Sequence, residues 1–206
     1  MLVKKLFELA SNYKFHFFKI IFFEFIYIIR GYKGNQFYIS KNDSMTANIP
    51  CPFYFLVRIE KQLKKINFNT FMDLGCGSGR VLDFFNKKFK NKKYIGIDYF
   101  EEYCDKCKKV FSKNNNIEII KSDFTKLDLD TFNVDCIFYN DPVYNENNSI
   151  IFLNRVINLM KSNRDMIFIL INCSNKILDK LDNSKCIDSY YVNKIKGYSI
   201  YYFKKQ

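Results

Sequence analysis

Short apolar runs and amphipathic stretches alternate along the chain from Thr70 onward. Helical spacing predicts helices over Val81–Phe89, Glu101–Phe111, Ile150–Met160 and Asn175–Leu181. Apolar runs predict strands over Thr70–Leu74, Tyr94–Ile97, Ile117–Ile120, Cys136–Tyr139 and Met166–Ile171, and a closing hairpin over Cys186–Val192 and Tyr198–Phe203. Repeated β-α alternation indicates an α/β fold with a doubly wound, mostly parallel seven-stranded sheet and an antiparallel C-terminal hairpin. Ligands of such sheets bind outside the carboxyl ends of the strands.

The chain before residue 70 has a different pattern, which predicts a helical extension over 1–66 ahead of a domain over 67–206. Residues 15–29 are the most apolar stretch, but Lys19 and Glu24 interrupt them, so no run reaches the ~20 apolar residues that span a bilayer. The features of a cleaved signal peptide are not seen either. Two interpretations stay open: a helix packed on the domain, or an interfacial helix that gives residues 1–30 a peripheral membrane contact.

Charge and cysteine content narrow the partners and the compartment. The formal net charge is 33 − 21 = +12, and residues 1–70 hold 11 basic and 4 acidic side chains, a surplus of +7. The basic residues are diffuse, so nucleic acid is a less favoured partner. Seven cysteines without a regular framework are typical of a reducing, cytoplasmic compartment. With a single His and no second Cys pair, no metal site is expected.

The candidate chemistry lies at the ends of the first three strands. The first strand runs into Asp73-Leu74-Gly75-Cys76-Gly77-Ser78-Gly79-Arg80, a G-x-G-x-G turn rather than the G-x-G-x-x-G of dinucleotide sites. Asp73 would repel a pyrophosphate but would pair with a cationic amino-acid moiety. Asp98 ends the second strand, where it could bind ribose hydroxyls. Asp123 follows the third strand, where it could bind the amine of an adenine.

With these residues the chain resembles the class I S-adenosylmethionine-dependent methyltransferases over roughly residues 70–206. The resemblance implies that Asp73 lies near the methionine amino group, that the glycines form the cofactor turn, and that Asp98 and Asp123 hold ribose and adenine. The cofactor-binding residues it implies are Asp73, Gly75, Cys76, Gly77, Gly79, Asp98, Tyr99, Asp123, Phe124 and Asn140.

The fourth strand ends in Asn140-Asp141-Pro142-Val143-Tyr144, which is similar to the [D/N/S]-P-P-[Y/F] loop of amino-group methyltransferases. That similarity implies that Asp141 and Tyr144 are catalytic, Asp141 orienting the acceptor and Tyr144 stacking on it. Val143 departs from the second proline of the motif. The alternative is that Asp141 and Tyr144 only shape the cofactor pocket.

A narrower resemblance concerns the segment Pro50–Tyr54, which is similar to its counterpart in small bacterial methyltransferases that look like the non-SET lysine methyltransferases. It implies that this segment closes over the methionine end of the cofactor. The expected function is methyl transfer to an acceptor that is a protein, a glycan or a small molecule, with an amine nitrogen favoured over oxygen. The competing hypothesis is a catalytically inactive binding or membrane-associated scaffold protein.

Overall fold

The structure, a computed structural model, describes residues 16–34, 50–140, 146–160, 165–173, 178–192 and 196–204. Its strands are β1 (Thr70–Leu74), β2 (Lys93–Asp98), β3 (Ile117–Lys121), β4 (Cys136–Tyr139), β5 (Met166–Ile171), β6 (Cys186–Tyr191) and β7 (Gly197–Phe203). They form one seven-stranded sheet in the order β3-β2-β1-β4-β5-β7-β6. β1 to β5 pair in parallel, and β7 runs antiparallel to both β5 and β6. The predicted fold class and the closing hairpin are confirmed.

Five α-helices connect or precede these strands in the described part of the chain. They are α1 (Phe17–Ile29), α2 (Phe53–Leu63), α3 (Arg80–Lys88), α4 (Glu101–Val110) and α5 (Glu146–Met160). α5 begins four residues before its predicted start, because its first turn, Glu146–Ser149, is polar and carries no apolar signal. The predicted helix Asn175–Leu181 lies partly outside the described residues.

The core lies on both faces of the sheet, because alternate side chains of a strand point to opposite sides. Phe71 and Phe138 point to the face covered by the first four helices, and Met72 and Ile137 point to the face covered by α5. All six residues of β5 are buried. A central strand covered on both faces reads as a continuous apolar run, which is why its sequence shows no alternation.

α1 packs on the domain through one face and exposes the other. Ile20 and Tyr27 are buried against the core that α2 and α3 share. This is the packing that the first of the two interpretations predicts. Six large apolar side chains on the other face stay exposed, so the packing does not decide against the second interpretation. In the part of the chain that the structure describes, no helix has both the length and the apolar character needed to cross a bilayer.

The sheet order places one crevice at its carboxyl edge. From β1 the chain continues to β2 on one side of the sheet, and from β4 it continues to β5 on the other side. The direction of connection therefore reverses between β1 and β4. Leu74 pairs with Tyr139 at this edge, so the residues that bracket the switch point are Asp73 on β1 and Asn140 after β4. Ligands of open α/β sheets bind in the crevice at such a switch point.

Candidate cofactor and methyl-transfer site

The glycine turn after β1 adopts a conformation that side chains would oppose. Gly75, Gly77 and Gly79 have φ values of 77°, 52° and 83°, in the left-handed region that favours glycine. The turn is fastened to β2, since the N–H groups of residues 75 and 76 both donate to the Ile97 carbonyl, at 2.8 and 3.0 Å. A Cβ on Gly79 would come within 2.6 Å of Phe111 and 2.7 Å of Cys107 on the α4 side. The turn therefore packs closely against the α4 side at Gly79, where it leads into α3.

Asp73 is the buried carboxylate of the crevice, with 2% of its surface exposed. Its Oδ2 accepts no hydrogen bond from the part of the chain that the structure describes. Burial, and after it the charge of Asp98, raises the pKa of Asp73 well above its usual range. A buried carboxylate with an unfilled oxygen is costly to maintain. Such an oxygen fits a cationic or N–H donor supplied by a ligand.

A cavity of about 20 Å³ adjoins Asp73. This volume is on the order of one water molecule. Its walls come from the glycine turn, from Asn140 after β4, and from the N-terminal part of the chain. The lining residues include Gly34, Pro50, Cys51, Asp73, Arg80 and Asn140. Pro50 and Cys51 at the start of the Pro50–Tyr54 segment line this cavity, whereas Tyr54 donates a hydrogen bond to the Tyr190 hydroxyl, at 3.1 Å.

Asp98, at the end of β2, is held by the turn it faces. Its Oδ2 accepts a hydrogen bond from the Gly77 N–H at 2.8 Å, and its Oδ1 accepts one from the Phe100 N–H at 3.0 Å. Burial raises the pKa of Asp98, and these backbone donors partly offset that rise. The Tyr99 N–H bonds the same carboxylate, so backbone donors fix the orientation of Asp98 and leave only part of its acceptor capacity for a further donor.

A second, open cavity of about 390 Å³ lies beyond Asp98, between the ends of β2 and β3. Tyr99 and Asp123 line it, and Tyr99 has 62% of its surface exposed. Burial raises the pKa of Asp123, but hydrogen bonds from Thr125 and Lys126 outweigh it, so that the pKa is lowered. The cavity thus offers a flat aromatic ring and an ionised carboxylate side by side, which suits a purine with an exocyclic amine.

Two of the predicted residues point their side chains into the core instead. Phe124 is buried, with its ring centroid 5.0 Å from that of Phe152 and 6.2 Å from that of Tyr139. Cys76 is buried as well, and a hydrogen bond with Cys107, followed by burial, raises the pKa of its thiol. Phe124 and Cys76 can therefore serve a cofactor mainly through their backbones. Asp141 and Tyr144, the predicted catalytic residues, lie outside the described residues.

Asn172 contacts the edge of the crevice and was not among the predicted site residues. It follows β5 with a φ of 55°, and its Nδ2 donates to the Oδ1 of Asn140 at 3.3 Å. Its own Oδ1 accepts from the Gly197 N–H at 3.3 Å. Asn172 therefore links the start of β7 to the residue that precedes Asp141. The signal available in the sequence was an Asn directly after a strand, a residue type that tolerates the left-handed region.

The buried ion pair between Glu24 and Arg80 was also missed. Arg80, the first residue of α3, is 3% exposed, and its Nη1 lies 2.8 Å from the Glu24 Oε2 on α1. The same Nη1 donates to the Cys51 carbonyl at 3.2 Å, and the Glu24 Oε1 accepts from the Phe53 N–H at 2.9 Å. One carboxylate thus joins α1, the start of α2 and the end of the glycine turn.

The chain before α2 also touches the turn directly. The Gly34 carbonyl accepts a hydrogen bond from the Ser78 hydroxyl at 2.8 Å. A Cβ on Gly34 would lie 2.2 Å from the Arg80 nitrogen, so the backbone passes there without room for a side chain. The N-terminal extension is therefore a wall of the crevice.

Part of the chain matches a family model. Residues 71–163 match a model described as a methyltransferase domain, and this match covers less than half of the chain and includes the turn and Asp98. The match confirms the resemblance to methyltransferases. No curated protein matches the chain.

Solved structures share the fold at low sequence identity. A SAM-dependent methyltransferase from Aquifex aeolicus is 20% identical, with a TM-score of 0.51 over 70% of this chain and 88% of that one. A putative rRNA-methylase from Clostridium thermocellum is 16% identical, with a TM-score of 0.56 over 74% and 97%. The plantazolicin methyltransferase BpumL, in complex with SAH, is 20% identical, with a TM-score of 0.44 over 58% of this chain. The chain spans only 44% of the BpumL chain.

Proposed function

We propose that this chain, which carries a class I S-adenosylmethionine-dependent methyltransferase domain, transfers the methyl group of that cofactor to an acceptor, an amine nitrogen being favoured over oxygen. The observation that carries the proposal is the unfilled oxygen of Asp73, a buried carboxylate at the switch point of the sheet. A carboxylate at this position would repel a pyrophosphate, whereas the amino group of a methionine moiety would satisfy it. The residues present therefore fit this cofactor.

Each part of the crevice has a role in the proposed complex. Asp73 would bind the methionine amino group, and the bare backbone from Gly75 to Gly79 would lie along the cofactor, with Cys76 contributing its backbone. Asp98 would accept from the ribose hydroxyls through its remaining lone pairs. Adenine would lie in the open cavity with Tyr99 and Asp123, beside the backbone of Phe124. The cofactor supplies a methyl group already activated by a positively charged sulfur.

The acceptor end is proposed to follow β4. Asn140 is held by Asn172 beside the Asp73 cavity, and Asp141 and Tyr144 come next in the chain. An amine must present a free lone pair, so we assign to Asp141 the orientation of the nitrogen and the acceptance of the proton that it loses. The bound cofactor would supply the activated methyl group, and Asp141 would hold the amine in line with it and take the amine proton. In-line positioning supplies most of the rate advantage.

The acceptor class rests on the motif similarity and on the diffuse distribution of basic residues along the sequence. We favour the amino group of a protein lysine, a glycan or a small molecule, and we regard nucleic acid as less favoured. Each described cysteine is a free thiol. This state suits a reducing compartment, and we propose a cytoplasmic location.

The first test is calorimetric binding of S-adenosylhomocysteine to the full chain. Asp73→Asn should weaken it, whereas Asp105→Asn, which changes an exposed carboxylate on α4, should leave it unchanged. A tritiated-methyl transfer assay on fractionated lysate then sorts the label among protein, glycan and nucleic acid. Binding of the product cofactor without transfer to any fraction would support the inactive scaffold instead. No binding at millimolar ligand would end the methyltransferase proposal.

A further inference from the structure

One face of α1 is apolar and exposed. It consists of Phe18, Ile21, Phe22, Phe25, Ile28 and Ile29, which we call the outer face of α1. The exposed fractions of Phe18, Phe22, Phe25 and Ile29 are 80%, 59%, 65% and 68%. These six positions follow i, i+3, i+4, i+7 spacing, so they form one continuous stripe rather than scattered residues. A contiguous exposed apolar patch of this kind marks an interaction surface.

The contacts that the inward side of α1 makes with the domain fix the rotation of the helix about its own axis. Ile20 and Tyr27 are buried, and Glu24 lies between them in sequence, with its carboxylate on Arg80 at 2.8 Å and on the Phe53 N–H at 2.9 Å. Turning the helix to bury its outer face would remove Glu24 from these partners and leave the Arg80 guanidinium buried without its counter-charge. The outer face therefore needs a partner from outside this packing.

Among the described residues of α1 and its C-cap, the exposed charges are positive. Lys19 and Arg30 are exposed, and Glu24, which is the one acidic residue of α1, is turned inward and paired with Arg80. A second copy of this chain would bring the same cations and the same +12 net charge against the outer face. An anionic surface would attract these cations, whereas a second copy of the chain would repel them.

We propose that the outer face of α1 docks on an anionic phospholipid bilayer. The helix would lie in the plane of the interface, its six apolar side chains entering the acyl boundary while Lys19 and Arg30 stay at headgroup level. The helix has 13 residues and is therefore about 20 Å long. It rests on the surface and does not cross the bilayer. Each of these cations is attracted to the negative surface potential of an anionic bilayer.

The test is flotation of the full chain with phosphatidylcholine vesicles, with and without phosphatidylserine. The full chain is needed, because truncating α1 would also remove Glu24 from Arg80. Phe18→Ser/Phe22→Ser/Phe25→Ser should reduce the fraction bound to anionic vesicles by roughly tenfold or more. The matched control, Ile151→Ser/Ile187→Ser, changes exposed apolar residues elsewhere and should bind like the unaltered chain.

A second pair of variants tests the charges. Lys19→Gln/Arg30→Gln should weaken binding to phosphatidylserine vesicles roughly tenfold or more, the size of two cations removed. Lys109→Gln/Lys113→Gln removes two exposed lysines from the α4 side and should change binding much less. Neutral vesicles should bind less than anionic ones, and added salt should release the protein.

Three outcomes would overturn the docking proposal. The first is that the unaltered chain fails to float with anionic vesicles. The second is that the triple-Phe variant melts at a much lower temperature, which would mean that another part of this chain covers the outer face. The third is that sedimentation finds a dimer that the triple-Phe variant abolishes, together with no vesicle binding. Binding of S-adenosylhomocysteine by the same variants is measured in parallel, so failure of docking is separable from failure of the proposed function.

Discussion

The replacement Asp73→Asn separates a ligand-binding carboxylate from a structural one. Asparagine keeps the shape of the side chain and removes its charge, so the ionic partner of an ammonium group is lost while the packing is preserved. A hydrogen bond to a charged group contributes about 1.5–3 kcal/mol. We therefore expect the dissociation constant of S-adenosylmethionine or its product to rise roughly 10- to 100-fold.

The same replacement should stabilise the ligand-free protein. The pKa of Asp73 in the folded state lies well above its value in the unfolded chain, because burial disfavours the charge. Such a carboxyl stabilises the fold at pH values below the unfolded pKa and loses that contribution as pH rises through the folded pKa. At neutral pH, replacing the buried charge by a neutral amide should return about 1–3 kcal/mol. This gain corresponds to a rise of roughly 2–10 °C in Tm for a chain of this size.

The pH dependence gives the sharpest signature. The Tm difference between Asp73→Asn and the unaltered chain should be near zero at acid pH and grow as pH rises above 3.8, the usual value for Asp. Over the same window, the affinity advantage of the unaltered chain should grow, because binding an ammonium requires the carboxylate. Thermal unfolding and calorimetry across a pH series measure both, with Asp105→Asn as the control. A variant that is less stable and binds the cofactor normally would refute this reasoning.

Three further predictions concern the elements around Asp73. Glu24→Gln should destabilise the fold by roughly 2–4 kcal/mol in urea unfolding, because it leaves buried Arg80 without its counter-charge. The double variant Glu24→Gln/Arg80→Met should recover part of that loss. If it recovers none, the pairing of Glu24 with Arg80 does not stabilise the fold. Gly79→Ala should cost roughly 2–5 kcal/mol in the same assay, because its φ of 83° and the 2.6 Å approach to Phe111 both oppose a Cβ. Asn172→Gly, which keeps the left-handed backbone, should lower kcat about 2- to 10-fold by releasing Asn140 while the cofactor dissociation constant stays within twofold; an unchanged kcat would remove Asn172 from the site.

The local pattern of the sequence was sufficient to predict the sheet and the glycine turn with its neighbouring carboxylates. The strands of a parallel sheet covered on both faces are written as short apolar runs such as Met166–Ile171, and their order of connection follows from the helices between them. The turn could be located from the sequence because glycine readily adopts the positive φ that Gly75, Gly77 and Gly79 have. Asp73 and Asp98 could be placed at the crevice because both stand at the carboxyl end of a strand.

Contacts between residues that are far apart in the chain could not be predicted from local sequence pattern. Glu24 interrupts an apolar stretch, and in the sequence it counted only against a membrane span; its partner Arg80 is 56 residues away. Asn172 and Asn140 are 32 residues apart, and only the pairing of β4 with β5 brings them within 3.3 Å. Phe124 was assigned to the cofactor from its position, whereas the packing of α5 draws its ring into the core.

The sequence by itself therefore determined the α/β sheet, the place of the crevice and the carboxylates at its edge, since each depends on periodicity or on a residue's own conformational preference. The tertiary structure decided which side of α1 is buried, what holds Arg80 in place and which oxygen of Asp73 is left unfilled. Those features depend on the shape of the packed core. A carboxylate buried there without a hydrogen-bond or ionic partner raises the free energy of the folded state, which does not occur when it is exposed to water.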